Sequence, residues 1–233
     1  MTLRVGFLCF PGVTQLDLMG PAQVFASVAE VHLVWKRIEP VQSDTVITLT
    51  PTTTFADCPQ LDVLCVPGGY GTDEISGDQE VLDFLRVQAI GTKYVSSVCT
   101  GSIVLGAAGL LDGYHATSHW CALDVLPLFG AIPVAERVCV DRNRVTGAGV
   151  TAGIDFGLTL VSMLFDRPTA EQIQLRMEYD PAPPFNSGSP TNAPPDVYSK
   201  ALERFAPSME RRLEAAQKAA AKLAAATRIR SLA

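Results

Sequence analysis

Two rhythms of apolar residues alternate along the chain. Leu3 to Phe10, Val31 to Ile38, the continuously apolar "LDVLCV" before "PGGYG", and Tyr94 to Val98 are β-rich runs that read as strands. Between them the spacing turns helical. In "PGVTQLDLMGPAQVFASV", Leu16, Met19, Val24 and Val28 allow a helix that breaks near Gly20-Pro21. Asp78 to Ile90 places Val81, Leu82, Leu85 and Ala89 at i, i+3/i+4 spacing. "TVITLTPTTTF" alternates as a hairpin or edge strand would, and an Ala/Gly-rich helix follows Cys99 directly. Further on, "RVCVDRNRVTGAG" predicts a hairpin with Arg-Asn at its tip. Thr151 to Phe165 predicts an apolar helix with Thr151 as N-cap, and Thr169 to Tyr179 a more amphipathic one. This βαβα order predicts an α/β fold: a doubly wound, mainly parallel sheet with helices on both faces.

Residues 181–195, "PAPPFNSGSPTNAPP", carry six prolines and the bulky Phe185, so an ordered excursion across a surface is expected there. From Asp196 onward the chain reads as an Ala-, Glu-, Lys- and Arg-rich helix that Pro207 should break or kink. The expected division is one α/β domain, 1–195, and a C-terminal helical extension, 196–233, packed on that domain or on a dimer partner.

Composition narrows the function classes. With 48% hydrophobic and 18% charged residues there is ample material for a two-faced core, and a net charge of −6 without a basic stripe argues against a nucleic-acid partner. "MTLRVGFLCFPG" lacks the form of a signal peptide, and no apolar run reaches the roughly 20 residues of a membrane span. A cytoplasmic protein with six reduced cysteines is therefore expected. The absence of C-x-x-C pairs, and only three histidines (His32, His115, His119), argue against a zinc site.

The chemistry centres on Cys99. It ends a strand, precedes Gly101 and Ser102, and opens a helix, the arrangement of a nucleophile elbow. Helix amides aimed at its sulfur would favour the thiolate. In a doubly wound sheet, ligands bind beyond the carboxyl ends of the strands. Three segments should meet there: the turn Pro67 to Gly71, the elbow Val98 to Ser102, and the stretch after the first strand with Asp17. If Asp17 faces Cys99 in an apolar pocket, burial raises its pKa and suits it to general acid/base work. Cys9, Cys65, Cys121 and Cys139 read as packing residues. His119 in "TSHW" reads as a packed or capping histidine.

The order "VPGGYG", "SVCTGSIVLGAAGLLDG", "ATSHW" resembles the PfpI-like superfamily, related to class I glutamine amidotransferases, over Leu3 to about Pro195. The resemblance implies a flavodoxin-like fold with a reactive cysteine, here Cys99, near a carboxylate from the segment after the first strand. The protease-like members carry His directly after the nucleophile, where this chain has Thr100. Its carboxylate is Asp17 where many relatives carry Glu. Asp17, Cys99-Thr100, "TGAGVTAGIDF" and "EYDPAPPFNSGSP" together resemble the isocyanide hydratases. That likeness implies a cofactor-independent hydro-lyase and a homodimer, with an isocyanide as small-molecule substrate and no metal. Cys99 would be nucleophile, Asp17 its acid/base partner and Thr100 a site neighbour, and the reaction would pass through a thioimidate. Backbone donors around Gly69 and Thr100 would meet developing charge, and Tyr70, Ala148 and Val150 would wall the substrate. The "CTGSxxL" pattern also resembles the sensor half of AraC-type regulators, and the 38 residues after Pro195 are too few for two helix-turn-helix units. A ligand, redox or electrophile sensor and a glyoxalase-like enzyme are the alternatives.

Overall fold

The computed structural model describes residues 2–231. Strand β1 (Leu3–Leu8) leads into helix α1 (Gln15–Phe25) and strand β2 (Ala29–Trp35). Three two-residue strands follow, β3 (Val41–Gln42), β4 (Thr48–Leu49) and β5 (Thr53–Thr54). β3 and β4 pair antiparallel with each other, whereas β5 extends the main sheet beside β2, so the alternating segment yields both a hairpin and an edge strand. Next come β6 (Val63–Val66), α2 (Thr72–Ile75), α3 (Gln79–Gly91), β7 (Tyr94–Val98) and α4 (Gly101–Ala107). Strand β8 (His115–Ala116), a 3-10 helix over Trp120–Phe129 and β9 (Ile132–Pro133) precede the hairpin β10 (Val138–Asp141) and β11 (Arg144–Gly147). Helices α5 (Ala152–Leu164), α6 (Arg167–Arg176) and α7 (Pro195–Ser231) complete the chain.

The sheet order is β10-β11-β7-β6-β1-β2-β5, parallel throughout except for β10. Successive side chains leave a strand on opposite faces, so β6 sends Val63 and Cys65 into one core and Leu64 and Val66 into the other. The first core contains Leu18, Phe25 and Phe156 under α1 and α5; the second contains Leu85, Ile103 and Leu126 under α3, α4 and the 3-10 helix. Both faces are buried, which is why these strands read as continuous apolar runs.

Several elements depart from the sequence reading. α1 does not break at Gly20-Pro21: Pro21 is buried within it, and the bare glycines Gly20 and Gly153 let α1 and α5 approach closely enough to hold the helix whole. α7 does not break at Pro207 either. Residues 203 and 207 both face solvent, where the carbonyl that Pro207 cannot serve is left to water. Its opposite face buries Ala216 and Ala219 in the core. Thr151 precedes α5 but makes no capping hydrogen bond, whereas α6 begins two residues before Thr169 because Asp166 accepts the Thr169 N–H at 2.8 Å and Pro168 suits the first turn. Phe185 anchors nothing; it is exposed. Among the described residues, no helix is long and apolar enough to cross a membrane.

Helix α4 crosses closely over the end of β6. A Cβ at Gly101 would lie 1.9 Å from the Val66 carbonyl oxygen, a clash only backbone movement relieves. Gly101→Ala should therefore lower stability by about 3 kcal/mol or more, read from urea denaturation; an unchanged midpoint would contradict this account of the crossing.

Candidate active site

Strands β7, β6 and β1 are neighbours in the sheet, so the segments leaving their carboxyl ends meet at one edge. The order in which strands are added reverses between β1 and β6, which opens a crevice there. Cys99 stands at its centre with φ 57°, a left-handed conformation that costs a non-glycine residue about 1–3 kcal/mol. Four hydrogen bonds hold it. The Cys99 N–H donates to the carbonyls of Gly147 and Ala148 at 3.0 and 2.8 Å, and its own carbonyl accepts from Ser118 Oγ at 3.0 Å and Ser102 Oγ at 3.2 Å. The elbow expected from the sequence is thus formed and over-determined.

Asp17 enters from the first turn of α1 and is fully buried. Its Oδ2 accepts the Gly68 N–H at 2.9 Å, and its side chain neighbours that of Cys99. A Cβ on Gly68 would fall 2.6 Å from the Thr100 nitrogen and 2.8 Å from Asp17 Oδ2, so only glycine lets the three segments close together. The amide of Gly69 is not a free donor for substrate, as the sequence suggested. It donates to Thr100 Oγ1 at 3.0 Å. The Thr100 amide is directed at the Cys99 sulfur.

Burial dominates the electrostatics. It lifts the Asp17 carboxyl from 3.8 to about 7, against the lowering pull of the Gly68 N–H and of Cys99, with Asp44 adding to the rise. Burial, then the charge of Asp17, pushes the Cys99 thiol well above its ordinary value, and the Thr100 amide opposes this only in part. The expectation of a resting thiolate is reversed: the free site holds a neutral thiol beside a carboxyl that titrates near neutrality. Such a pair can pass one proton back and forth.

A cavity of about 210 Å³ opens beside Cys99. Thr100, Gly69, Tyr70 and Val150 line it, but Ala148 does not; it serves the site through the carbonyl that braces Cys99. His119 also lines it. The ring is held between Trp120 and Phe205, and Nδ1 accepts the Cys121 N–H at 3.3 Å with the Cys121 sulfur at 2.9 Å. Burial, then nearby Arg212, lowers His119 to about 4, so the imidazole is neutral with its proton on Nε2. The capping reading of His119 holds, yet Cys121 is more than packing because its side chain borders the cavity.

Sequence reasoning missed the far wall. Thr14 and Asp44, joined by a 2.6 Å hydrogen bond, contribute one part of it, and Phe205, Ser208 and Arg212 of α7 contribute another. Arg212 is 4% exposed and pairs with Asp73 Oδ1 at 3.2 Å, fixing α7 against α2. Positions 205, 208 and 212 follow i, i+3, i+7 spacing, a one-face signal hidden by the expected break at Pro207. Among the described residues, no group of His, Cys, Asp and Glu is arranged to hold a metal ion.

The sequence pattern of the DJ-1/PfpI family matches residues 3–163, which contain Asp17, the Gly68-Gly69 turn and the Cys99 elbow. The chain belongs to the DJ-1/PfpI family. Within that family it is 57% identical over 225 residues to the isonitrile hydratase of Pseudomonas putida, spanning 96% of this chain and 99% of that one. A THiJ/PfpI family protein from Pseudomonas syringae superposes with TM-score 0.90 at 47% identity, over 93% of this chain and 91% of the other. The transcriptional regulator GbdR of Pseudomonas aeruginosa is 34% identical over 134 residues, 57% of this chain but 36% of the regulator. The far wall from α7 lies beyond the residues matched by the family pattern.

The raised pKa of Asp17 has a stability consequence. Between pH 3.8 and about 7 the folded state binds this proton more tightly than the unfolded chain, so this group's contribution to stability falls as pH rises through that window. Asp17→Asn removes the penalty and should be more stable than wild type at pH 8, on the order of 4 kcal/mol, with a smaller gap at pH 5.5. Thermal unfolding at both pH values checks this, and a gap that narrows as pH rises would contradict it.

Proposed function

We propose that the protein is an isocyanide hydratase, a cofactor-independent hydro-lyase that adds water to R–N≡C to give R–NH–CHO. The near-full-length similarity to the Pseudomonas putida isonitrile hydratase carries this reading, and the thiol–carboxyl pair supplies chemistry to match. In the proposed sequence, ionised Asp17 takes the Cys99 S–H proton while the sulfur bonds to the terminal isocyanide carbon. Asp17 then delivers that proton to the same carbon, giving the thioimidate R–N=CH–S–Cys99. Water adds next at this carbon. Its oxygen forms the new C–O bond, one of its protons passes by way of Asp17 to the nitrogen, and the result is R–NH–CH(OH)–S–Cys99. Collapse breaks the C–S bond, and the hydroxyl proton returns to sulfur. Thr100, which lines the cavity, would turn its hydroxyl to donate to the substrate nitrogen, where negative charge grows.

The walls Tyr70, Val150 and Phe205 favour an apolar substituent on the isocyanide. The proposal includes action in the cytoplasm as a homodimer, for which light scattering should give twice the 24.9 kDa chain mass. It also retains the division into a 1–195 domain and a 196–233 helical extension, of which Leu232 and Ala233 lie outside the described residues.

Turnover of an aryl isocyanide, followed by absorbance, tests the reading. Wild type should produce the N-formamide, Cys99→Ala should produce none, and Asp17→Asn should lose at least about 100-fold in kcat. Folded wild type that hydrates no isocyanide would sink the proposal. Because Asp17 must be ionised to accept the thiol proton, kcat/KM should rise with pH through about 7 and level off above it. A profile flat from pH 5.5 to 8 would remove Asp17 from that role.

A further inference from the structure

Two hydroxyl groups compete for one carbonyl beside the elbow. Thr72, the first residue of α2, is fully buried and donates from Oγ1 to the Gly69 carbonyl at 2.7 Å. Thr100 Oγ1 stands 3.3 Å from the same carbonyl and 3.1 Å from Thr72 Oγ1, and it already accepts the Gly69 N–H at 3.0 Å. Each hydroxyl has one proton to give. The shorter contact belongs to Thr72, which does not border the cavity, whereas Thr100 does.

We infer that Thr72 is a positioning residue: by occupying the Gly69 carbonyl it leaves the Thr100 hydroxyl proton free to turn into the cavity. The Gly69 carbonyl is buried, and its two lone pairs are taken by the Thr72 N–H at 3.2 Å and the Thr72 hydroxyl at 2.7 Å. Without the Thr72 hydroxyl, the Thr72 N–H keeps one lone pair of that carbonyl and the other is open to the Thr100 hydroxyl at 3.3 Å, which would rotate its proton away from the reacting nitrogen. Gly69 is the hub, holding the Thr100 oxygen through its N–H and the Thr72 proton through its C=O. The alternative is an ordinary turn residue that only steadies the start of α2. The kinetic part of the inference rests on the hydratase reading; the structural part does not.

Thr72→Val removes the hydroxyl at nearly constant volume. It should lower kcat about tenfold or more, to the level of Thr100→Val, with KM little changed. The double variant should be no slower than Thr100→Val alone, because both substitutions withdraw the same donor. Thr72→Ser should restore turnover. A folded Thr72→Val with wild-type kcat, or losses that multiply in the double variant, would overturn the inference. The crystal structure of Thr72→Val provides a second arm, in which the Thr100 hydroxyl should close to about 2.8 Å from the Gly69 oxygen. If it stays where it is, the inference fails whatever the kinetics. Should wild type hydrate no isocyanide, only the hydratase reading falls, and this crystallographic distance still decides the role of Thr72. If Thr72→Val does not fold, Thr72→Ala, which adds no atom, takes its place in both arms.

Discussion

The left-handed backbone of Cys99 is the constraint on which the rest of the site depends. A cysteine does not adopt that conformation unaided, and the four hydrogen bonds holding it come from the end of β11, from Ser118 and from the first turn of α4. Once the residue is fixed there, its side chain is carried away from the helix and towards Asp17. The helix must then pass directly over the end of β6, which explains the bare glycine at 101. Reactivity and fold are therefore coupled: what strains the elbow also aims the sulfur.

Around that point the backbone amides are apportioned with little left over. Gly68 serves Asp17, Gly69 serves Thr100, and Thr100 serves the sulfur. The carboxylate receives a single amide donor while buried completely, and desolvation prevails over that one bond. A second or third donor would have held Asp17 ionised in the ordinary carboxylate range and removed its capacity to carry a proton at neutral pH. The same burial raises the Cys99 thiol and favours its protonated form, which oxidises less readily than the thiolate.

The C-terminal helix adds a wall to a cavity whose thiol–carboxyl pair, Cys99 and Asp17, lies within the residues matched by the family pattern. Its hold on the domain is specific: the buried Arg212–Asp73 ion pair ties it to α2, and Phe205 packs against both His119 and Trp120. Buried charge pairs contribute little net stability, but removing one partner is strongly destabilising. This contact therefore fixes the placement of α7 more than it strengthens the fold. Since α2 also carries Thr72, the anchor of α7 and the Thr100 network share one short helix.

The sequence by itself determined the sheet, its doubly wound character and the elbow. Short, β-branched apolar runs bounded by turn residues read as strands buried on both faces, and Gly101 after Cys99 suits a close crossing of a strand end. It also determined that Asp17, the Gly68-Gly69 turn and Cys99 would meet, because neighbouring parallel strands deliver their following loops to one edge. Other features were decided only by tertiary structure. Pro21 and Pro207 read as helix breakers, yet packing against Gly153 and the exposure of residues 203 and 207 let both helices run through. The protonation of Cys99 went the opposite way from the local expectation, because burial is a property of the assembled core and outweighs the helix-start amide. The far wall, and the pairing of Thr72 with Thr100, join residues distant in sequence. No local pattern encodes which carbonyl a buried hydroxyl will find.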